Sequence, residues 1–201
     1  MARNQQLVTI NIIEHHYRSE RSKLHALFLK THRAFLHSYV QYTGIEELSK
    51  GRYDCLTATS LFADVLSRTG YQYKIIETNT HIFVMVKTSD GDVLLETTDR
   101  IGGFIDDEKR ISKVIADYRK NFSLFVTVDV DQLPGLLYFN QAVKAFNAAK
   151  WDECSEKLSA AATKTNSPQV AALAECFTGN LISQGDNRIA RTSRAMTASI
   201  S

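Results

Sequence analysis

GRYDCLTATSLFADVLSRTG, residues 51–70, reads as a helix with a marked start and stop and a cysteine in its first turn. Asp54 is placed to cap the N-terminus. Leu61, Phe62, Val65 and Leu66 fall at the three-and-four spacing of one apolar stripe, and Gly70 stands where a left-handed residue ends a helix. Cys55 therefore sits where the partial positive charge of the first turn favours a thiolate over a thiol, with Asp54 working modestly against it. Taken alone, a small cysteine packed in the core would read the same way. The segment downstream changes the balance.

YQYKIIE (71–77), THIFVMV (80–86) and DVLLETT (92–98) read as three short strands, the last two joined by the turn-forming run Thr88, Ser89, Asp90 and Gly91 into an antiparallel hairpin. Side chains two apart share a face, as do directly opposed residues. With a four-residue loop Lys87 opposes Asp92, which places His81 opposite Thr98 and Glu96 diagonally across on the same face. Moving the loop back by one residue sets Glu96 directly opposite His81. A loop of three or five residues would favour Asp99 instead, so the third member depends on register. His81 is the only histidine outside the first 37 residues. A carboxylate beside it would fix the imidazole tautomer and stabilise the imidazolium, leaving the second ring nitrogen for a thiol proton.

These residues resemble the transglutaminase-like superfamily, relatives of the papain-like cysteine proteases. The likeness is carried by YDCLTATSLFADVLSRTGY (53–71), THIFVMV (80–86) and GDVLLETTD (91–99), within about residues 35–105. In that family a cysteine opens a helix packed on a sheet, a histidine follows on one strand, and an aspartate on the next, often in an Asp-Pro-Thr setting. The resemblance implies Cys55 as nucleophile, His81 as general base and Glu96 as orienting acid. Glu96 and Thr97 stand where the family more often has aspartate and proline, and Phe83 takes the place of the aromatic residue two positions after the histidine. An oxyanion stabiliser is also implied. The Cys55 backbone amide is one candidate and the Gln41 side chain in FLHSYVQYTG (35–44) a second, with Tyr39 and Tyr42 as rivals. Gln41 equally fits a plain loop residue before Gly44.

The chain has 201 residues, of which 44% are hydrophobic, enough for a sizeable core. It has no apolar run of the roughly 18 residues that a membrane span requires. A net charge of +2, with no basic patch interleaved with aromatics, argues against nucleic-acid binding. Three widely separated cysteines make neither a disulfide framework nor a metal-ligand pair, and Cys154 and Cys176 are expected on buried helical stripes. The polar opening ARNQQ shows no signal peptide, which fits a cytoplasmic protein or an exported one whose signal is not in this chain.

From about Asn4 to Tyr42 the pattern is helical, with Leu7, Ile10, Ile13, Leu24, Leu27, Phe28, Phe35 and Leu36 as apolar contacts. His15, His16, His25, His32 and His37 include no pair four apart, so a polar face is expected there and not a zinc site. Residues 105–120 read as a short helix. NFSLFVTVDVDQL (121–133) reads as a strand and exit loop in which Val126, Val128 and Val130 alternate. From Leu133 to about Gln184 the chain reads as helical, with breaks at residues 150–152 and 166–168. Tyr138, Ala142, Trp151, Cys154, Leu158, Ala161 and Asn166 resemble the positions of a tetratricopeptide hairpin, a generic helical hairpin being the alternative. One such unit cannot bury its own apolar face and is expected to pack on the preceding domain.

The expected architecture is thus α+β. A transglutaminase-like domain spans residues 1–132, with an N-terminal helical part over 4–42 and a core over 43–132. An all-α tetratricopeptide-like region covers 133–185, and a Ser-, Thr- and Arg-rich tail over 186–201 is expected to be disordered. The resemblance implies a cysteine hydrolase, a protease or amidase, that cleaves peptide or amide bonds through a thioester. It would use no cofactor and no metal and take a peptide or protein substrate, and a protein partner could be held by the helical region. A non-catalytic peptide-binding scaffold that keeps the fold is the second reading, and an amine in place of water would turn hydrolysis into crosslinking.

Overall fold

The computed structural model describes residues 17–183. The expected start of the first helix at Asn4, its contacts Leu7, Ile10 and Ile13, His15 and His16, and the tail from Asp186 lie outside the described residues.

The chain is a mixed helix-and-sheet protein. Helix α1, Glu20–Phe35, starts at Ser19, whose hydroxyl accepts from the Ser22 amide, and buries Leu24, Leu27, Phe28, Thr31 and His32. It ends earlier than the expected Tyr42. Leu36 leaves helical geometry, and Ser38–Tyr39 form a short strand, β1, paired in parallel with β2, Arg52–Tyr53. A 3₁₀ turn over Ile45–Lys50 joins them. Helix α2, Cys55–Arg68, begins as expected at Asp54, in a reciprocal capping box with Thr57. It stops at Thr69, and Gly70 takes the left-handed φ of 77° that a side chain would resist.

A five-stranded antiparallel sheet follows: β3 Gln72–Thr78, β4 Ile82–Thr88, β5 Gly91–Leu95, β6 Phe104–Ile105 and β7 Phe125–Val128, in the spatial order β6-β5-β4-β3-β7. Lys87 opposes Asp92 as expected, although the loop is shorter than the four residues assumed. Thr88 pairs with Gly91, leaving Ser89 and Asp90 as a two-residue turn. Strand β7 stops at Val128. Val130 lies in a 3₁₀ turn over Val130–Gln132 and is exposed, so only the first two valines share the strand.

The sheet's pleat divides the core in two. Val84, Val86, Val93 and Leu95 meet α1 and α2 through Leu24, Phe28, Leu61, Phe62 and Leu66. Phe83, Leu94 and Ile105 on the other face meet α3, Glu108–Asn121, through Ile111, Val114, Ile115 and Tyr118. Each face is a continuous apolar surface closed by an amphipathic helix.

Helices α4 Leu133–Asn147, α5 Trp151–Ala162 and α6 Pro168–Ser183 complete the described chain, with breaks close to the expected positions. Ala142, Cys154, Leu158, Ala161, Phe177 and Leu181 form their shared core. The region does not stand apart. Leu133 and Leu136 of α4 pack with Leu56 and Ala63 of α2 and Ile75 of β3. No helix among the described residues is long and apolar enough to cross a membrane.

Two further expectations are corrected. His32 does not lie on a polar face: it is 1% exposed between Phe28 and Phe62, with ring centroids 4.5 and 5.6 Å away. His25 does stay exposed, its ring tilted 34° against Phe104 with centroids 4.5 Å apart. Cys154 is buried, but Cys176 is exposed because α6 turns that flank away from Phe177 and Leu181.

Candidate active site

Cys55 is the first residue of α2, and Asp54 before it is the joint that fixes the surroundings. The Asp54 carboxylate is 2% exposed. Its Oδ1 accepts from the Thr57 amide at 2.8 Å. Its Oδ2 accepts from the Thr43 amide at 3.0 Å and from Asn140 Nδ2 on α4 at 2.9 Å. One side chain thus ties together the start of α2, the loop after β1 and the helical region. Burial raises the Asp54 pKa, and the donors from Thr57, Thr43 and Leu56 work against that rise.

His81 stands one residue before β4 and Glu96 one residue after β5, so the pair flanks the strands and does not lie within them. His81 is positioned by a tight connection from β3: the Thr78 amide donates to the His81 carbonyl at 2.8 Å, and the His81 amide donates to Thr78 Oγ1 at 3.1 Å. Glu96 is held by its amide, which donates to the Gly103 carbonyl at 2.8 Å. The register that opposes Val84 to Leu95 puts the two side chains diagonally across one face, and His81 Nε2 lies 2.5 Å from Glu96 Oε2. Asp99, the rival carboxylate, is engaged elsewhere. Its Oδ1 accepts from the Ile101 and Gly102 amides and shapes the loop toward β6.

With Nε2 committed to Glu96, Nδ1 is the ring nitrogen left for the Cys55 sulfur. Burial works to lower the His81 pKa, but hydrogen bonds and charge from Cys55 and Glu96 outweigh it and raise the value to about 9. The imidazole is therefore held as the imidazolium through neutral pH.

A cleft of about 220 Å³ opens over this pair. Cys55 and His81 line one end, and Tyr39, Gln41 and Tyr42 line the side toward β1. Gln41 is exposed at this wall, and its rivals Tyr39 and Tyr42 reach the same cleft. Tyr42 has a left-handed φ of 55°, a conformation costing about 1 kcal/mol or more for an aromatic residue. The Thr43–Asp54 bond next to it helps hold that turn. The far wall is supplied by the helical region, through Leu136, Phe139, Asn140 and Val143 of α4 and Gln169 of α6.

Sequence reasoning missed two contributors. One is the α4 wall, whose connection to the site runs through a long-range Asn140–Asp54 bond that no local pattern carries. The other is Tyr118 of α3, whose hydroxyl donates to Glu96 Oε1 at 2.9 Å and whose ring stacks on His81. Its signal was the stripe Ile111, Ile115, Tyr118 and Phe122, which turns the tyrosine toward the sheet. Among the described residues no group of three or more His, Cys, Asp or Glu is arranged to hold a metal ion.

The chain matches no protein-family model, no curated protein and no solved structure.

Proposed function

We propose that the chain is a cysteine hydrolase of the transglutaminase-like type, acting on peptide or amide bonds through Cys55, His81 and Glu96. The observation that carries this reading is the His81 imidazole, bound to Glu96 at 2.5 Å on one nitrogen and coupled to the Cys55 sulfur beside it, in a cleft at a helix N-terminus.

In the first half-reaction the Cys55 thiolate adds to the amide carbonyl carbon, and the carbonyl electron pair moves onto oxygen. The Cys55 amide, at the first helical position where backbone N–H groups lack helical partners, is the backbone donor for that oxyanion, with Gln41 as side-chain donor. Collapse reforms the carbonyl and breaks the carbon–nitrogen bond, and His81 gives its proton to the departing amine. In the second half-reaction His81 takes a proton from water. The hydroxide adds to the thioester, the carbon–sulfur bond breaks, and the thiolate and imidazolium are restored. An amine in place of water would carry the acyl group away as a new amide.

Thiol labelling tests the reading directly. Exposed Cys176 would react with any alkylating agent, so the measurement belongs in a Cys176→Ser background. There, limiting iodoacetamide is expected to modify Cys55 first. Cys154, which is buried with its pKa raised to about 11 by burial, should react only on unfolding. Peptide cleavage should vanish in Cys55→Ala. Equal labelling of Cys55 and Cys154 in the folded protein, with no Cys55-dependent cleavage of any peptide, would refute the proposal.

The cleft also predicts substrate charge. Apart from His81 it is lined by the acids Asp54 and Glu77, and by no Lys or Arg among the described residues. Glu77 is 3% exposed, and its Oε1 is occupied by Ser167 and Gln169. Matched peptides with a neutral or cationic side chain beside the scissile amide should therefore be cleaved faster than those with a carboxylate there, by at least about tenfold in kcat/KM. A profile of substituted peptides reads this out.

A further inference from the structure

We propose that Tyr118 is a positioning residue for the His81–Glu96 pair, its hydroxyl fixing the glutamate arm and its ring bracing the imidazole plane. The reading of the site as catalytic gives this role its consequence, but the role itself is a statement about geometry.

Three contacts support it. The Tyr118 hydroxyl donates to Glu96 Oε1 at 2.9 Å while Glu96 Oε2 faces His81 Nε2 at 2.5 Å, so each carboxylate oxygen has one dedicated partner. The Tyr118 ring lies nearly parallel to His81, 15° between planes and 6.0 Å between centroids. Phe83 packs under both, 5.0 Å from Tyr118 and 6.4 Å from His81. A π face near an imidazolium favours the charged form, and a rigid aromatic stack keeps the ring from rotating away from Glu96.

The glutamate makes such an anchor necessary. Glu96 carries one more methylene and one more rotatable bond than an aspartate, and Thr97 behind it does not stiffen the backbone as proline would. A carboxylate on a free arm loses rotamer entropy each time it meets the histidine. A second hydrogen bond on its other oxygen meets that cost once, when the protein folds. Tyr118 is well placed to provide it because α3 is fixed on the sheet through Ile111, Val114 and Ile115.

The test is a double-mutant cycle read by NMR titration of His81, independent of any substrate. Tyr118→Phe keeps the ring and removes only the hydroxyl. It should move the His81 midpoint down from about 9 toward 6.5, because a less well aimed carboxylate stabilises the imidazolium less. In a Glu96→Ala background, where the midpoint has already fallen, Tyr118→Phe should move it no further. Glu96→Asp, whose arm cannot span both partners, should shift it in the same direction as Tyr118→Phe. Peptide cleavage by Tyr118→Phe should fall about tenfold in kcat with little change in KM, the loss of one hydrogen bond to a charged group. A His81 midpoint unmoved by Tyr118→Phe, or moved equally with and without Glu96, would overturn the role. If the titrations behave as stated and no peptide is cleaved, the positioning stands and the hydrolase reading fails.

Discussion

His81→Ala is expected to lower peptide cleavage by about 10²–10⁴-fold, the usual contribution of a positioned general acid–base. It should also slow alkylation of Cys55 measured in the Cys176→Ser background. Both effects follow from one ring that is bound to Glu96 on one side and coupled to the sulfur on the other. The pH dependence carries the same signature. The His81 pKa is raised from 6.5 to about 9, so the proton needed by the leaving amine is present through neutral pH and is lost as pH rises through about 9. Cleavage should therefore show an alkaline limb near that value, and in Tyr118→Phe the limb should move to lower pH. The same shift stabilises the fold. Its contribution is complete below the unfolded pKa of 6.5 and disappears as pH rises through about 9. His81→Ala that left both cleavage and Cys55 alkylation unchanged would remove the ring from any account of the site.

The parts of this arrangement that were legible in the sequence are those set by local rules. Asp54, Thr57 and Gly70 mark the ends of α2 through capping chemistry that operates within a few residues. The hairpin register could be read because strand parity needs only the pairing of Lys87 with Asp92, and a shorter turn left that pairing intact. The same parity brings Glu96 and not Asp99 to His81. What escaped depends on contacts remote in sequence. The Asn140–Asp54 bond spans 86 positions, and Tyr118 meets Glu96 across 22. Helix α1 ends short of the expected Tyr42 because, although the apolar pattern carries on through Leu36, the backbone there is captured by the parallel pairing of β1 with β2. His32 departs from the expected polar face for a related reason. Histidine is usually a polar surface residue, and only the meeting of α1 with Phe62 of α2 shows that this position is interior.

That interior histidine makes stability depend on pH on the acid side. Both His32 ring nitrogens are buried with no hydrogen-bond partner among the described residues. Burial lowers the pKa to about 4, with Arg100 lowering it further and Asp99 opposing. Below pH 6.5 the unfolded chain takes up a proton that the folded one refuses, so stability falls as pH drops from about 6.5 toward 4. Converted at 1.36 kcal/mol per pH unit, the gap between 6.5 and about 4 amounts to about 3 kcal/mol, a large share of what a domain of this size possesses. His32→Leu removes the titrating group and two unpaired nitrogens while keeping an apolar side chain of similar volume between Phe28 and Phe62. The variant is therefore expected to be at least as stable as the parent at pH 7, since an unsatisfied buried polar atom costs about 1–3 kcal/mol. Urea midpoints measured from pH 7 to pH 4 should fall less steeply for His32→Leu than for the parent, the difference opening below pH 6.5. Parallel curves for the two proteins would mean that His32 takes up its proton alike in the folded and unfolded chain, and would overturn this role of the buried ring.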